Sequence, residues 1–472
     1  MKAVALSRIA QWTGGRLLGV DGANDAGHDV LIDAIATDTR TLDASDGRAA
    51  LFVALKGERF DAHDHVADAI DAGARAVLVA RQVAVAVPQV VVADTERALA
   101  AFAAALQHTR SGKVIAITGS NGKTSVKTLL LSILQRAAAM GGGVAYANPG
   151  NRNNEIGLPL AVLDAPEDAL YAIYEMGAGK PGDIAYLTAI ARPDVALVNN
   201  VAPAHLERMG SLLGVADTKG AIYDALPSGG VAVINADDAF APYFAERAHG
   251  RRLIRFGLEA TADVSARALV ADGEGTRFVL VTPDGEADVA LALPGRHNVL
   301  NALAAASLAL GAGASLDAIR DGLEAARSVA GRLVTHRLAN GATLIDDSYN
   351  ANPGSLNAAI DTLAAAGGSN WLVLGDMREL GVDAEALHAE AGRRAKAAGI
   401  ARLFTLGPLS AASARAFGEG AAHFETHDAL ADALRDALTA DVRVLVKGSR
   451  GSAMDKVVRA LLPPTGDAIH AA

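Results

Sequence analysis

The chain has 472 residues, 51% hydrophobic and 20% charged, with a formal net charge of −10 and no cysteine. That length calls for two to four domains, and the composition is that of a globular chain. The acidic balance argues against nucleic-acid binding for want of a basic stripe, and the missing cysteines exclude disulfides, thiolate metal sites and cysteine nucleophiles.

The stretch MKAVALSRIAQWTGG lacks the charged-then-apolar design of a secretory leader, and no apolar run has the length of a membrane span. A soluble cytoplasmic protein, without membrane insertion and monomeric, is expected. LIDAIATDTRTL, ALFVALKG and HVADAIDAGARAVLVA predict short strands, an amphipathic helix and a further strand, a first domain over 1–95. VVVADTERALAAFAAALQHTR leads out of it through a helix. Between 96 and 328, the apolar runs KVIAIT (113–118), YAIYEM (171–176), DVALVNNV (194–201) and GGVAVINADD (229–238) alternate with helical patterns, the signature of βαβ units and a parallel sheet. RFVLVTPDGEADVALALPG (277–295) predicts a hairpin around Asp-Gly, and the alanine-rich NALAAASLALGAGAS suits a buried helix. From 329 to 472, TLIDD, WLVLGD, ARLFTLG and VRVLVKG each precede a helical stretch, which predicts a doubly wound, Rossmann-like domain. The expected fold class is α/β in three domains: a small N-terminal one, a central parallel sheet with a phosphate loop, and the doubly wound C-terminal one.

The chemistry-bearing stretch is Thr118-Gly119-Ser120-Asn121-Gly122-Lys123-Thr124. It matches G-x-x-x-x-G-K-[ST] except that Ile117 stands where the first glycine belongs. A strand, a glycine turn and a helix start aim backbone N–H groups and the positive helix end at one point, which suits a phosphate whatever the global charge. Lys123 can reach the β- and γ-phosphates and the Thr124 hydroxyl can ligate Mg²⁺, so a nucleotide site is expected. Parallel sheets present ligands at the carboxyl ends of their strands, where Glu175 and Asn199-Asn200 fall. Glu175 with Thr124 is a sensible hard-oxygen pair for Mg²⁺. Asn148-Pro149-Gly150-Asn151-Arg152-Asn153-Asn154-Glu155 reads either as a long turn or as a binding loop for a polar ligand. His205 taken alone is an ordinary loop histidine. Lysine is scarce, ten against 33 arginines, so a lysine inside a motif is less readily explained as surface filler.

TGSNGKTS, NRNNEIGLPL, EMGAGKPGDI, NNVAPAHLERMGS, DTKGAIY, GRHNVLNALAA, Gly331-Arg332, DDSYNANPGS, LGDMRELG and KGSRGSAMD follow in this order across nearly the whole chain. The set resembles the Mur ligase family, ATP-dependent amide-forming enzymes that build the peptidoglycan stem peptide. DDSYNANP, LGDM and KGSR, with the N-terminal ATDTR and ALFVALKGERFDAHDH, resemble the branch that joins D-alanyl-D-alanine to UDP-N-acetylmuramoyl-tripeptide. The resemblance implies ATP, that nucleotide-sugar peptide and the dipeptide as small-molecule partners, and two Mg²⁺ ions. It implies Lys123 on the ATP phosphates within a loop from Thr118 to Thr124, and Thr124 and Glu175 on the first ion. His205 and an N-carbamylated Lys219 would serve the second ion. Asn298 and Asn301 would contact the nucleotide, Arg332 the γ-phosphate and Asp347 the ribose. Thr39, Arg40, Asn151, Asn153, Asn154, Asn350 and Asn352 would contact substrate. The chain departs from the family at Ala62, where glycine usually separates Asp61 from His63, and at Ala221, where glutamate commonly follows the lysine of DTKGAIY. Three rival expectations stand beside it: a sister ligase adding the third residue, a folylpolyglutamate synthetase sharing the phosphate loop, and a P-loop ATPase switch that binds a partner protein.

Overall fold

The computed structural model describes residues 1–19, 29–203, 206–271 and 275–463. Three large sheets follow one another along the chain, each flanked by helices. The first has five strands in the order Arg16–Leu18, Gln89–Val91, Ala74–Val79, Ala50–Val53, Ala34–Ala36, parallel except for the Arg16–Leu18 edge. Its inner strands are near-continuous aliphatic runs, and Val77, Leu78 and Val79 are fully buried, as a parallel strand covered on both faces requires. Asp94 then caps the helix Thr95–Gln107 by accepting from the N–H groups of Glu96 and Arg97. Leu99, Phe102, Ala103 and Leu106 bury one side of this helix, in a cluster shared with the central unit.

The second sheet has six strands, all parallel, in the order Arg252–Phe256, Val231–Asn235, Val195–Val198, Lys113–Thr118, Ala169–Glu175, Val144–Ala147. The four strands expected from the sequence fill inner positions. The two unexpected ones are the edges, short strands in which RLIRF and VAYA lack a long apolar run. Lys113–Thr118 lies between Ala169–Glu175 and Val195–Val198, with Ile117 opposite Glu175 and Thr118 opposite Val198. Thr118, Glu175 and Asn199 therefore arrive at one edge of the sheet, where the chain switches sides and ligand crevices form. The expected hairpin is present as Thr276–Thr282 with Gly285–Leu291, and Ser265–Ala271 adds a third antiparallel strand. The alanine-rich helix Arg296–Ala312 packs on the sheet through fully buried Ala302, Leu303, Ala305, Ala306 and Leu308.

The third sheet runs Val334–Arg337, Thr343–Asp347, Val442–Lys447, Ser369–Gly375, Arg402–Leu406, Ala421–Phe424, parallel except for the first. The four expected strands are the inner four, and the missed ones are again edges. The architecture is α/β with parallel sheets in three domains. Among the described residues, no helix is long and apolar enough to cross a membrane.

Candidate active site

The phosphate loop starts later than the sequence pattern suggests. Ile117 is a fully buried strand residue paired with Glu175 and Leu197, so the position lacking a glycine never enters the turn. The turn itself runs from Gly119 to Gly122. Gly122 has φ +77°, and a Cβ there would lie 2.5 Å from both Asn199 Nδ2 and Asn301 Oδ1, which only glycine avoids. The helix Lys123–Met140 begins at once, with no side chain capping its start. Its first N–H groups and positive end are left to a ligand. Asn121 is fixed from three sides. Its N–H donates to Asn200 Oδ1 (2.8 Å), its carbonyl accepts from Asn199 Nδ2 (3.0 Å) and Asn200 Nδ2 (3.2 Å), and its Oδ1 accepts from Asn352 Nδ2 (2.7 Å).

Below the loop is a charged floor. Lys123 Nζ donates back to Gly119 O at 2.7 Å. Burial lowers its pKa, Glu175 pulls it up, and nearby Arg332 adds to the lowering. The Thr124 hydroxyl donates to Glu175 Oε2 (2.8 Å) and accepts from Arg332 Nη2 (2.9 Å). Glu175 is 3% exposed and accepts at Oε1 from Asn153 Nδ2 (2.8 Å), with Lys127 Nζ 3.2 Å from Oε2. Burial alone would raise its pKa, but Lys127, Lys123 and the hydrogen bonds from Thr124 and Asn153 outweigh it and hold the carboxyl below its ordinary value. An ionised, oriented carboxylate beside a hydroxyl results.

The C-terminal domain supplies the facing wall. The Arg332 guanidinium packs 4.4 Å from the centroid of the Tyr349 ring, and Arg450 approaches the same ring at 5.6 Å. Asp347 Oδ2 accepts from buried Lys447 Nζ at 2.5 Å, and Lys447 also donates to Asn350 O (2.9 Å). Asn352 is the N-cap of the helix Pro353–Ala365 in a capping box with Ser355, while its amide reaches Asn121. Asn298 Nδ2 donates to Pro294 O (2.8 Å), and Asn301 Oδ1 accepts from Asn199 Nδ2 (3.3 Å). His297 fills the seam between the two domains near Thr362. Burial lowers its pKa to about 4, against the pull of Asp347.

These walls enclose a cleft of about 700 Å³. Ser120 through Thr124, Asn151, Asn153, Asn154, Glu175, Asn298, Asn301, Arg332, Asp347, Asn350 and Asn352 all line it. Several of the asparagines also have local tasks, Asn352 as a cap and Asn154 as acceptor of the Gly157 N–H. Thr118 and Gly119 are not cleft residues, and the Thr118 hydroxyl is spent on Met176 O (2.9 Å). Lys219, on the helix Leu212–Asp224, is 2% exposed and does not line the cleft. It makes no hydrogen bond or ion pair among the described residues. Burial first, then the Lys123 charge, drive its pKa well below that of an ordinary lysine, against the pull of Asp183. His205 lies outside the described residues.

Thr39 and Arg40 are not brought to this cleft. They form a turn beyond the strand Ala34–Ala36 of the first sheet, with Arg40 exposed and paired to Asp38. Asp61 and His63 are joined to each other. Buried His63 accepts the Ala80 N–H at Nε2 (2.7 Å), so its proton sits on Nδ1 and donates to Asp61 (2.6 Å). The pair pins two loops together. Sequence reasoning missed Lys127, His297, Tyr349 and Lys447 as members of the site. For Lys127 the only signal was the scarcity of that residue type, whereas Lys447 opens the KGSRGSAMD motif without having been given a role.

A glycine turn feeding Lys123 and Thr124 into a cleft between parallel-sheet domains defines an α/β nucleotide-site protein. Residues 117–309 match the Mur ligase middle domain and 331–450 the Mur ligase, glutamate ligase domain. The chain belongs to the Mur ligase family. It is 44% identical over 464 residues to the UDP-N-acetylmuramoyl-tripeptide--D-alanyl-D-alanine ligase of Escherichia coli (strain K12), covering 98% of this chain and 99% of that one. It superposes on MurF from Acinetobacter baumannii with a TM-score of 0.90 at 33% identity, covering 98% and 99% of the two chains. MurF ligase from Thermotoga maritima in complex with ADP gives a TM-score of 0.81 at 27% identity over 91% and 96%.

Proposed function

We propose that the chain is an ATP-dependent ligase that joins D-alanyl-D-alanine to the free carboxylate of UDP-N-acetylmuramoyl-tripeptide, releasing ADP and phosphate, in the cytoplasmic assembly of the peptidoglycan precursor. The observation that carries this reading is the 44% identity to a ligase of that name over 98% of the chain. The substrate carboxylate oxygen attacks the γ-phosphorus of ATP, the bond to the bridging oxygen breaks, and ADP departs. The dipeptide amine then attacks the acyl carbon of the acyl phosphate, loses a proton, and phosphate leaves. Charge grows on phosphate oxygens in the first step, and Lys123 and Arg332 are preset to meet it, the latter held by Tyr349 and Thr124. The Asp347–Lys447 pair offers a fixed carboxylate for the ribose, and Asn298 and Asn301 offer amides to the nucleotide.

The Thr124 hydroxyl and Glu175 carboxylate, 2.8 Å apart, fit a Mg²⁺ ion, which takes few oxygens from protein and the rest from phosphates and water. Bound there, the ion would neutralise phosphate oxygens and orient them. For a second ion we assign His205 and a carbamylated Lys219. A buried amine without a hydrogen-bond partner among the described residues, its pKa pushed well down by burial, holds its proton less tightly than an exposed lysine, and the unprotonated amine is the form that adds to CO₂ to give a carbamate and a proton. The uridine end is assigned to the Thr39–Arg40 turn, and the peptide to Asn151, Asn153, Asn154, Asn350 and Asn352. The protein would act as a monomer, with domain limits near 95 and 328.

The test is turnover by the purified full chain with ATP, Mg²⁺, UDP-N-acetylmuramoyl-tripeptide and D-alanyl-D-alanine, followed by mass spectrometry of the pentapeptide product and by ADP release. Amide product formed only when all four are present is expected. Turnover of a folate with glutamate instead, or ADP release that ignores the dipeptide, would overturn the reading.

A further inference from the structure

Lys127 lies one helical turn past Lys123 on the helix that begins at the phosphate loop, yet it is 6% exposed and does not line the cleft. Its ammonium has three acceptors: Asn148 O at 2.9 Å, Gly150 O at 3.0 Å and Glu175 Oε2 at 3.2 Å. A lysine has three donors, so the group is saturated. Asn148 also brackets the Glu175 backbone, accepting its N–H at Oδ1 (2.8 Å) and donating to its carbonyl (3.2 Å). From the far end of the same loop, Asn153 returns to Glu175 Oε1. Between these anchors Asn151 and Arg152 are exposed, as is Asn154 just beyond the second.

We propose that Lys127 is a positioning residue that sets the 148–154 loop and the Glu175 carboxylate as one piece, so that the sugar-peptide side and the nucleotide side of the cleft are organised together. An ion pair serving only to neutralise Glu175 would not need two backbone carbonyls from a loop that otherwise faces solvent. Two of the three bonds are spent on the loop, and the third ties it to the floor. The inference rests on the reading of the cleft as a site for ATP and UDP-N-acetylmuramoyl-tripeptide.

Lys127→Met in the full chain tests it, compared with wild type by calorimetric titration of UDP-N-acetylmuramoyl-tripeptide without nucleotide and by hydrogen exchange of the loop. The sugar-peptide should bind roughly ten-fold weaker, as for other residues that orient a ligand-contacting group. Exchange should quicken at 148–154 and at Gly177, whose N–H donates to Asn153 O, with the other two sheets unchanged. KM for the sugar-peptide should rise while KM for D-alanyl-D-alanine stays put. In a double-mutant cycle with Asn153→Ala the losses should fall short of additive, because both changes release one loop. Additive losses, or unchanged affinity and exchange, overturn the proposal. If Lys127→Met does not fold, Lys127→Gln carries the same comparison, and failure of both to fold reduces Lys127 to a core ion pair and overturns it too. A wild-type chain that binds no sugar-peptide defeats the functional reading instead, and the exchange measurement then judges Lys127 alone.

Discussion

The floor around Glu175 and the turn around Asp38 both set a charged pair at or just beyond the carboxyl end of a parallel strand. On the floor, Glu175 is enclosed by Lys127, Thr124 and Asn153, and none of the four side chains is free to turn away. At the turn, Asp38 and Arg40 are just as close, at 2.5 Å, and hydrogen bonds from the Arg40 side chain and backbone lower the Asp38 pKa to about 2. Yet the Arg40 side chain is 86% exposed. Water and salt screen that pair, and its geometry is one of several the side chains can adopt. A parallel sheet offers the position in both cases, and burial decides whether the charges are preset. Under the assignments proposed above, the floor meets charge that develops during the reaction, and the turn awaits a ligand to complete it.

If that distinction holds, the largest effect belongs to the floor. Lys123→Ala removes a cation that faces growing phosphate charge, and the ligation rate should fall by roughly 10² to 10⁴ at saturating ATP and Mg²⁺. Loss in kcat should dominate. A variant that ligates at the wild-type rate would break the comparison outright. Lys219 comes next. Lys219→Ala should cost roughly 10²-fold, Lys219→Arg should not restore activity because a guanidinium does not form a carbamate, and a small added carboxylate should partly rescue the alanine variant. Wild-type rates for Lys219→Arg would mean that the positive charge is what matters.

What the sequence disclosed follows the same division. The strand–glycine–lysine–threonine junction is a local signal, and the loop was legible down to Gly122 and Lys123. The inner strands of the two six-stranded sheets were legible because strands buried on both faces read as unbroken aliphatic runs. Their edges, Val144–Ala147, Arg252–Phe256, Val334–Arg337 and Ala421–Phe424, are short and only partly covered, so no run marks them. Lys127 was invisible for a different reason. Within TSVKTLLLSIL it reads as a polar position on a helix, and its partners lie 21, 23 and 48 residues away in sequence. Lys447 is likewise 100 residues from Asp347. Asn352 could have been read better, since Asn before Pro at a helix start is a capping signal.

Acid sharpens the comparison at an intermediate scale. His297 is half-buried in the seam beside the floor, with a folded pKa of about 4 against an ordinary 6.5. Between those values the unfolded chain binds a proton that the folded chain refuses, so stability rises with pH and is lost as pH falls from 6.5 to 4. The full depression is worth about 3 kcal/mol. Denaturant unfolding at pH 7, 5.5 and 4 should show this loss in the wild type and a shallower one in His297→Gln. The Asp38 turn, lowered from 3.8 to about 2, loses its contribution mainly as pH falls below 4 and should add little over that range. Parallel slopes for the two proteins would mean that the seam opens to water before His297 is charged.

The smallest effect belongs to Arg40. Among the described residues its guanidinium is held only by Asp38, two residues away, and it does not line the cleft. Arg40→Ala therefore removes no core contact, and Tm should stay within about a degree, as expected when a surface change costs well under 1 kcal/mol. If the turn holds the anionic uridine end of the substrate, far from the reacting atoms, the lost contact is one made equally in the ground and transition states. KM for UDP-N-acetylmuramoyl-tripeptide should then rise several-fold with kcat unchanged. Because the contact is exposed, raising the salt concentration should close much of the gap between wild type and variant. A fall in kcat at unchanged KM would contradict the assignment of this turn to binding alone and would mean that Arg40 reaches the reacting end of the substrate when the domains engage it.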